Sequence, residues 1–128
     1  MEWTTEIGCA YSATITVGTT ASNKSKVTVQ LKDYAGNNLT VPNNVIIRVS
    51  DVATGLTTPG TPIGSEVAIN ANGDLAVLLT KVAFLITSTA AGLFDVDLED
   101  TSNGSTFYLV VVLPNGKLVI SGAVDLGD

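Results

Sequence analysis

The stretch TFYLVVVLPNGKLVISGAV, residues 106–124, consists of two apolar runs separated by Pro114, Asn115 and Gly116. Valine, isoleucine and aromatic residues favour strands, whereas proline, asparagine and glycine favour tight turns. The stretch is therefore predicted to form a β-hairpin that closes at the Pro-Asn-Gly turn. Because the same pattern of apolar run, turn and apolar run is repeated along most of the chain, it decides the fold class.

Both faces of the first strand of this hairpin are apolar. Alternation along a strand puts four residues on an inner face and three on an outer face: Phe107, Leu109, Val111 and Leu113 inside, and Tyr108, Val110 and Val112 outside. An antiparallel strand between a core and solvent needs only one apolar face. We therefore predict that the three outer residues are interface residues, covered by another chain.

A membrane does not account for this apolar stretch. Its uninterrupted run, residues 107–113, is seven residues long, whereas a spanning helix needs about 20. The N-terminal sequence MEWTTEIG carries Glu2 and Glu6 and has neither the basic nor the apolar segment of a signal peptide. We expect a protein that is made in the cytoplasm, without a signal peptide and without a membrane partner.

Short strands are predicted along almost the whole chain, with no substantial helix. They span residues 11–17, 26–32, 45–50, 66–69, 74–80, 82–88, 93–99, 106–113 and 117–124. Turn signals recur roughly every 8–15 residues, which is typical of a sandwich or a barrel of about eight or nine short strands. One domain is expected, with an N-terminal arm and first strand over residues 1–25 and the remaining strands over residues 26–128.

Composition limits the classes of partner. The chain has 128 residues, of which 45% are hydrophobic and 14% charged, and its formal net charge is −6. A negative field repels phosphate backbones, so we expect no nucleic-acid partner. The single Cys9 leaves no intrachain disulfide. So large an apolar share in a small domain favours a protein partner.

Three acidic residues could carry chemistry: Asp95, Asp97 and Glu99 alternate with apolar residues in LFDVDLED. On a strand they share one face, with neighbours about 6.5 Å apart. Together with Asp100, such a face could begin a Ca²⁺ site, or it could be a solvated acidic surface. The chain contains no histidine, the usual general base near neutral pH. We therefore expect no enzyme activity, no catalytic residues and no cofactor.

Three segments resemble bacterial immunoglobulin-like domains of the invasin and intimin kind. In those domains a strand ending in Asp-x-x-Gly-Asn is followed by a strand that begins with Asn-Gly and then by one that begins with Ala-Gly-x-Phe. The matching residues are Asp33, Gly36 and Asn37; Asn72, Gly73, Ala76 and Thr80; and Ala91, Gly92, Phe94 and Val96. The resemblance covers residues 26–100 and implies an immunoglobulin-like β-sandwich of antiparallel strands.

The whole chain also resembles small immunoglobulin-like structural proteins of tailed bacteriophages, which occur as capsid decoration, head-fibre or tail accessory proteins. This resemblance implies a non-enzymatic protein of the virion, homo-oligomeric, that binds the major capsid protein or another virion protein. A capsid decoration (cement) or head-fibre-base role is the leading expectation. The alternatives are a tail accessory protein, a bacterial surface adhesin module and a carbohydrate-binding module.

The N-terminal arm supplies the remaining interface candidates. Trp3, Ile7 and Tyr11 lie where no strand pairing is evident, and aromatic residues are enriched at interface cores. The predicted interface therefore consists of these three residues together with the outer face of the hairpin. The alternative for Trp3 is that it caps one end of the sandwich. The long loop of residues 51–65 is a second candidate for partner contacts.

Overall fold

The computed structural model describes residues 9–57, 63–64, 66–101 and 105–127. These residues form ten strands: β1 Ser12–Val17, β2 Lys24–Lys32, β3 Asn44–Ser50, β4 Glu66–Ile69, β5 Asp74–Leu79, β6 Ala83–Thr87, β7 Leu93–Glu99, β8 Thr106–Val112, β9 Leu118–Ile120 and β10 Val124–Asp125. The described part of the chain contains no helix that could cross a membrane. The all-β prediction is confirmed, and the predicted strands agree with the observed ones to within one or two residues at most ends.

The strands form two antiparallel sheets that pack face to face. The first sheet has the order β1-β2-β7-β4, and the second has the order β10-β8-β3-β6-β5, with β9 also paired to β8. The neighbours β2 and β7, and likewise β3 and β8, are far apart in sequence, as expected for the Greek-key connections of an immunoglobulin-like sandwich. The first strand belongs to the first sheet, because β1 pairs with β2 along its whole length.

The core lies between the sheets and is built by strict alternation. On β7, Phe94, Val96 and Leu98 are fully buried and face the equally buried alternate residues of the second sheet. Branched aliphatic residues fit this pleated geometry because their restricted side-chain rotamers match an extended backbone. Truncating a buried phenylalanine such as Phe94 to alanine costs about 3–5 kcal/mol, since it removes apolar contacts and leaves a cavity.

The hairpin of residues 106–124 is confirmed, with one irregularity in its second strand. The ladder between β8 and β9 stops at Ile120, and β10 resumes the pairing with β8 at Val124. At the break, the Leu109 N–H donates a hydrogen bond to Ser121 Oγ at 2.9 Å, while the Ser121 N–H donates to the Leu109 carbonyl at 2.9 Å. A bulge removes a backbone hydrogen bond from the ladder. Here the hydroxyl of the buried Ser121 accepts the hydrogen bond of the Leu109 N–H in its place.

Candidate interaction surface

A row of aliphatic side chains crosses the outer face of the second sheet, with one residue from each of five strands. The strand registers place Ala76 opposite Leu85, Leu85 opposite Ile46, Ile46 opposite Val112, and Val112 opposite Leu118. We call these five residues the outer stripe. At about 4.8 Å between neighbouring strands, the stripe is about 19 Å across. It forms a continuous apolar band because directly opposite side chains in an antiparallel pair are in contact.

The outer stripe is open to solvent. Ile46 is 40% exposed and Ala76 is also exposed, while Leu85, Val112 and Leu118 are half-buried. Outward positions of an antiparallel sheet that faces water are normally polar. This row of the sheet therefore departs from the pattern expected of a face that only water covers.

A shallow depression of about 350 Å³ lies beside the middle of the outer stripe. It opens where β3 and β8 separate, between Asn44 on one side and Pro114 on the other, and Ile46, Leu85 and Val112 form its apolar wall. The depression is a place where a single large side chain of a partner could enter the sheet surface.

Polar and charged residues border the outer stripe. The Thr87 Oγ1 donates a hydrogen bond to Asn44 Oδ1 at 2.7 Å, and Asp74 lies opposite Thr87 in the next strand. On the other side of the stripe, Arg48 follows Ile46 on the same face and is half-buried. An apolar centre within a polar rim is the usual anatomy of a protein–protein contact surface.

Val110 corrects the prediction that the outer face of the hairpin is covered by another chain. Val110 is fully buried in the isolated chain, because the loop after β3 lies over it. Gly55 approaches so closely that a Cβ atom there would be 2.8 Å from Val110 Cγ2 and 3.0 Å from Ile120 Cγ1. The prediction is therefore wrong for Val110, which its own chain covers.

The other predicted interface residues have different environments. Val112 belongs to the outer stripe, and Tyr108 is half-buried on the same face, opposite Ser50. Tyr11 is 46% exposed, and the Lys117 ammonium lies 6.0 Å from the centre of its ring. Trp3 and Ile7 lie outside the described residues. Their role in an interface stays a prediction.

Sequence reasoning missed most of the outer stripe. It identified Val112 as an interface candidate, but it did not identify Ile46 or the other three residues as part of a surface. An isoleucine at an outward position was the available signal. What could not be read from one strand was that Leu85 and Leu118 would be aligned with it, since strand order and register come from tertiary structure.

The acidic strand has a structural role at Asp95. This carboxylate is only 3% exposed and accepts three hydrogen bonds: from the Ala71 N–H at 2.8 Å, the Asn72 N–H at 3.0 Å and the Asn72 Nδ2 at 2.8 Å. Burial alone would raise the pKa of Asp95, but these hydrogen bonds and the charge of Lys26 outweigh it and lower the pKa. Asp95 therefore stays ionised and holds the turn between β4 and β5.

The remaining acids of this strand lie beside cross-strand partners. Asp97 accepts hydrogen bonds at 3.1 Å from Asn70 Nδ2 and lies opposite Lys26, while Glu99 lies opposite Lys24. Opposite charges in directly paired positions stabilise a sheet by roughly 0.2–1 kcal/mol. Within the described ranges, no three acidic, histidine or cysteine side chains are grouped so that they could hold a metal ion.

The described part of the chain is thus a two-sheet β-sandwich, and the second sheet carries the apolar outer stripe on its outer face. No protein-family model, curated protein or solved structure matches it.

Proposed function

We propose that this chain is a non-enzymatic structural protein of a tailed-bacteriophage virion. In this role it binds the assembled shell as a decoration (cement) or head-fibre-base subunit. The observation that carries the proposal is the outer stripe, an exposed apolar band with a polar rim on a small acidic domain. The virion part of the proposal rests on the resemblance to small immunoglobulin-like phage proteins.

The chemistry of the outer stripe favours a protein surface as its partner. All five stripe residues are aliphatic, so the stripe offers no aromatic ring on which a sugar could stack. Burying aliphatic area contributes about 25 cal/mol per Å² and needs no exact match of hydrogen-bonding groups. These properties favour a virion protein over the carbohydrate that a carbohydrate-binding module would take.

The mechanism of such a subunit is stabilisation by mass action. A protein that binds the assembled shell, but not its separated subunits, shifts the equilibrium towards the shell by RT ln(1 + [L]/Kd). At a free concentration of 100 Kd this amounts to about 2.7 kcal/mol for each site. Many weak sites repeated over a symmetric surface would then resist disassembly without any chemical step.

The test is the composition of purified particles. Virions are banded on a density gradient from cells that produce this chain during infection, and the chain is quantified by mass spectrometry relative to the major capsid protein. The proposal expects a fixed copy number for each particle that survives repeated banding. If banded particles carry none of the chain, while the same lysate contains it free, the proposal is refuted.

A further inference from the structure

Arg48 is the single arginine of the chain, and it lies half-buried beside the outer stripe on the same face of the second sheet. The strand registers place it between Ala83 on β6 and Val110 on β8, and neither side chain carries a hydrogen-bond acceptor. No other described residue forms a hydrogen bond or an ion pair with the Arg48 guanidinium. The N–H donors of this group are therefore available to a partner.

The lysines of the chain are placed differently. Two of them lie opposite acidic residues in the ladder between β2 and β7. Two more donate hydrogen bonds at 3.0 Å, one to Asn38 Oδ1 and one to the Gly64 carbonyl. The Lys117 ammonium lies 6.0 Å from the centre of the Tyr11 ring. Arg48 is thus the cation of the described chain for which the fold itself supplies no partner.

A partner that docks on the outer stripe also covers Arg48. Arg48 follows Ile46 by two residues on one strand, so their Cα atoms are about 6.6 Å apart. A stable protein–protein contact buries about 800 Å² on each side, which is a patch roughly 28 Å across. A contact centred on the stripe therefore removes the Arg48 guanidinium from water. This step rests on the proposed function, in which the stripe is the docking surface.

A guanidinium that is removed from water by a partner needs an opposite charge from that partner. Burying an unpaired charge disfavours binding strongly, whereas a guanidinium and a carboxylate form parallel N–H···O hydrogen bonds in one plane. A backbone carbonyl accepts such a bond without neutralising the charge. A phosphate also fits the guanidinium, but the net charge of −6 repels phosphate backbones. The group that fits Arg48 is therefore the carboxylate of an aspartate or a glutamate.

We infer that Arg48 determines the specificity of the docking surface by pairing with an aspartate or glutamate carboxylate of the shell protein. The outer stripe supplies apolar area, which by itself is compatible with many surfaces. Arg48 restricts docking to partners that have an acidic side chain at the matching position, because every other partner leaves a buried cation unpaired. Arginine is among the residues that are enriched at interface cores and at energetically dominant contacts.

The first test measures the affinity of three folded variants for particles that lack the chain. Arg48→Met keeps an apolar stem, which can cover the sheet without pairing, and removes the charge; it should bind about thirty-fold more weakly than the wild type. Arg48→Lys keeps the charge but not the planar guanidinium, and it should recover part of that loss. Lys32→Gln is the matched control. It also removes one positive charge, but from the first sheet, where Lys32 donates to Asn38, and it should bind like the wild type.

The second test identifies the group that pairs with position 48. The Arg48→Lys variant is bound to particles at saturating concentration and treated with a carbodiimide, which couples an amine to a carboxyl group within reach. Mass spectrometry of the digest should find position 48 joined to an aspartate or glutamate of a shell subunit. The wild type keeps the inference falsifiable if neither variant folds: phenylglyoxal, which modifies arginine, should react with Arg48 in the free chain and several-fold more slowly in the bound chain.

Three results would overturn the inference. They are wild-type binding by a folded Arg48→Met variant, a carbodiimide product that joins position 48 to this chain or to a second copy of it, and equal phenylglyoxal reaction in the free and bound chain. Each of them leaves the proposed function standing, because the wild type still binds the particles. If the wild type itself does not bind, the proposed function is refuted and this inference with it.

Discussion

Replacing Asp95 by alanine should destabilise the sandwich by about 3 kcal/mol. The change removes the acceptor of three hydrogen bonds, from the Ala71 N–H, the Asn72 N–H and Asn72 Nδ2. Bonds to a charged group contribute about 1.5–3 kcal/mol each, but here we count about 1 kcal/mol for each, because water can reach the donors once the turn loosens. Ala71 is exposed and Asn72 half-buried.

The assay is urea unfolding at pH 7, and it compares the free energies of unfolding of the wild type and the variant. The comparison requires that the two proteins have the same m-value. Asp97→Ala is the matched control, since the carboxylate of Asp97 has a solvent-exposed hydrogen bond to Asn70. It should cost less than about 1 kcal/mol, as expected for an exposed polar pair. A loss below about 0.5 kcal/mol for Asp95→Ala would fall outside the range of a buried, multiply bonded carboxylate and would refute the structural role of Asp95.

The pH dependence follows from the direction of the pKa shift. Because folding lowers the pKa of Asp95, the ionised carboxylate stabilises the fold fully above its unfolded pKa of about 3.9. That contribution is lost as the pH falls through the lower folded pKa. The stability difference between wild type and Asp95→Ala should therefore be constant from neutral pH down to about pH 5 and narrow below about pH 4. A difference that is as large at pH 2 as at pH 7 would contradict this assignment.

Two further predictions concern the second sheet. Gly55→Ala should destabilise the fold by about 1–3 kcal/mol because of the positive φ, and by a further amount because the new Cβ atom clashes with Val110. Gly36→Ala is the control, since Gly36 also has a positive φ but has open space around it, and it should cost only the backbone strain. Equal losses of stability in urea unfolding would mean that the loop at Gly55 does not contact Val110. Ser121→Ala should lower the free energy of unfolding by about 1–2 kcal/mol and speed hydrogen exchange at the Leu109 amide, because that N–H loses its acceptor. Unchanged exchange at Leu109 would contradict the hydrogen bond from the Leu109 N–H to the Ser121 side chain.

The strands and most of the core could be predicted from the sequence because each depends on local signals. Alternation identified β2 and β7 with their buried faces, and the Pro-Asn-Gly turn located the hairpin of β8 and β9. Turn residues and an apolar period of two involve only a few adjacent residues, so they can be recognised without knowledge of the tertiary structure.

The surroundings of the outer faces could not be predicted, because they depend on residues distant in sequence. Val110 is buried by Gly55, which is more than fifty positions away. Asp95 occupies an outward position of its strand and is nevertheless buried, since the turn at Asn72 folds over it and supplies its donors. Alternation gives the direction of a side chain from its strand but not what covers it.

Particle binding by a matched pair of surface variants tests the account most directly. Ile46→Lys places a charge in the middle of the outer stripe, and Leu78→Lys places the same charge on an exposed leucine outside it. Both variants are checked for folding by circular dichroism and mixed with particles that lack the chain, and the bound copies are counted after sedimentation. The account predicts that Leu78→Lys binds like the wild type and that Ile46→Lys loses at least ten-fold in affinity, about 1.4 kcal/mol. Wild-type binding by a folded Ile46→Lys variant would contradict the claim that the outer stripe is the docking surface.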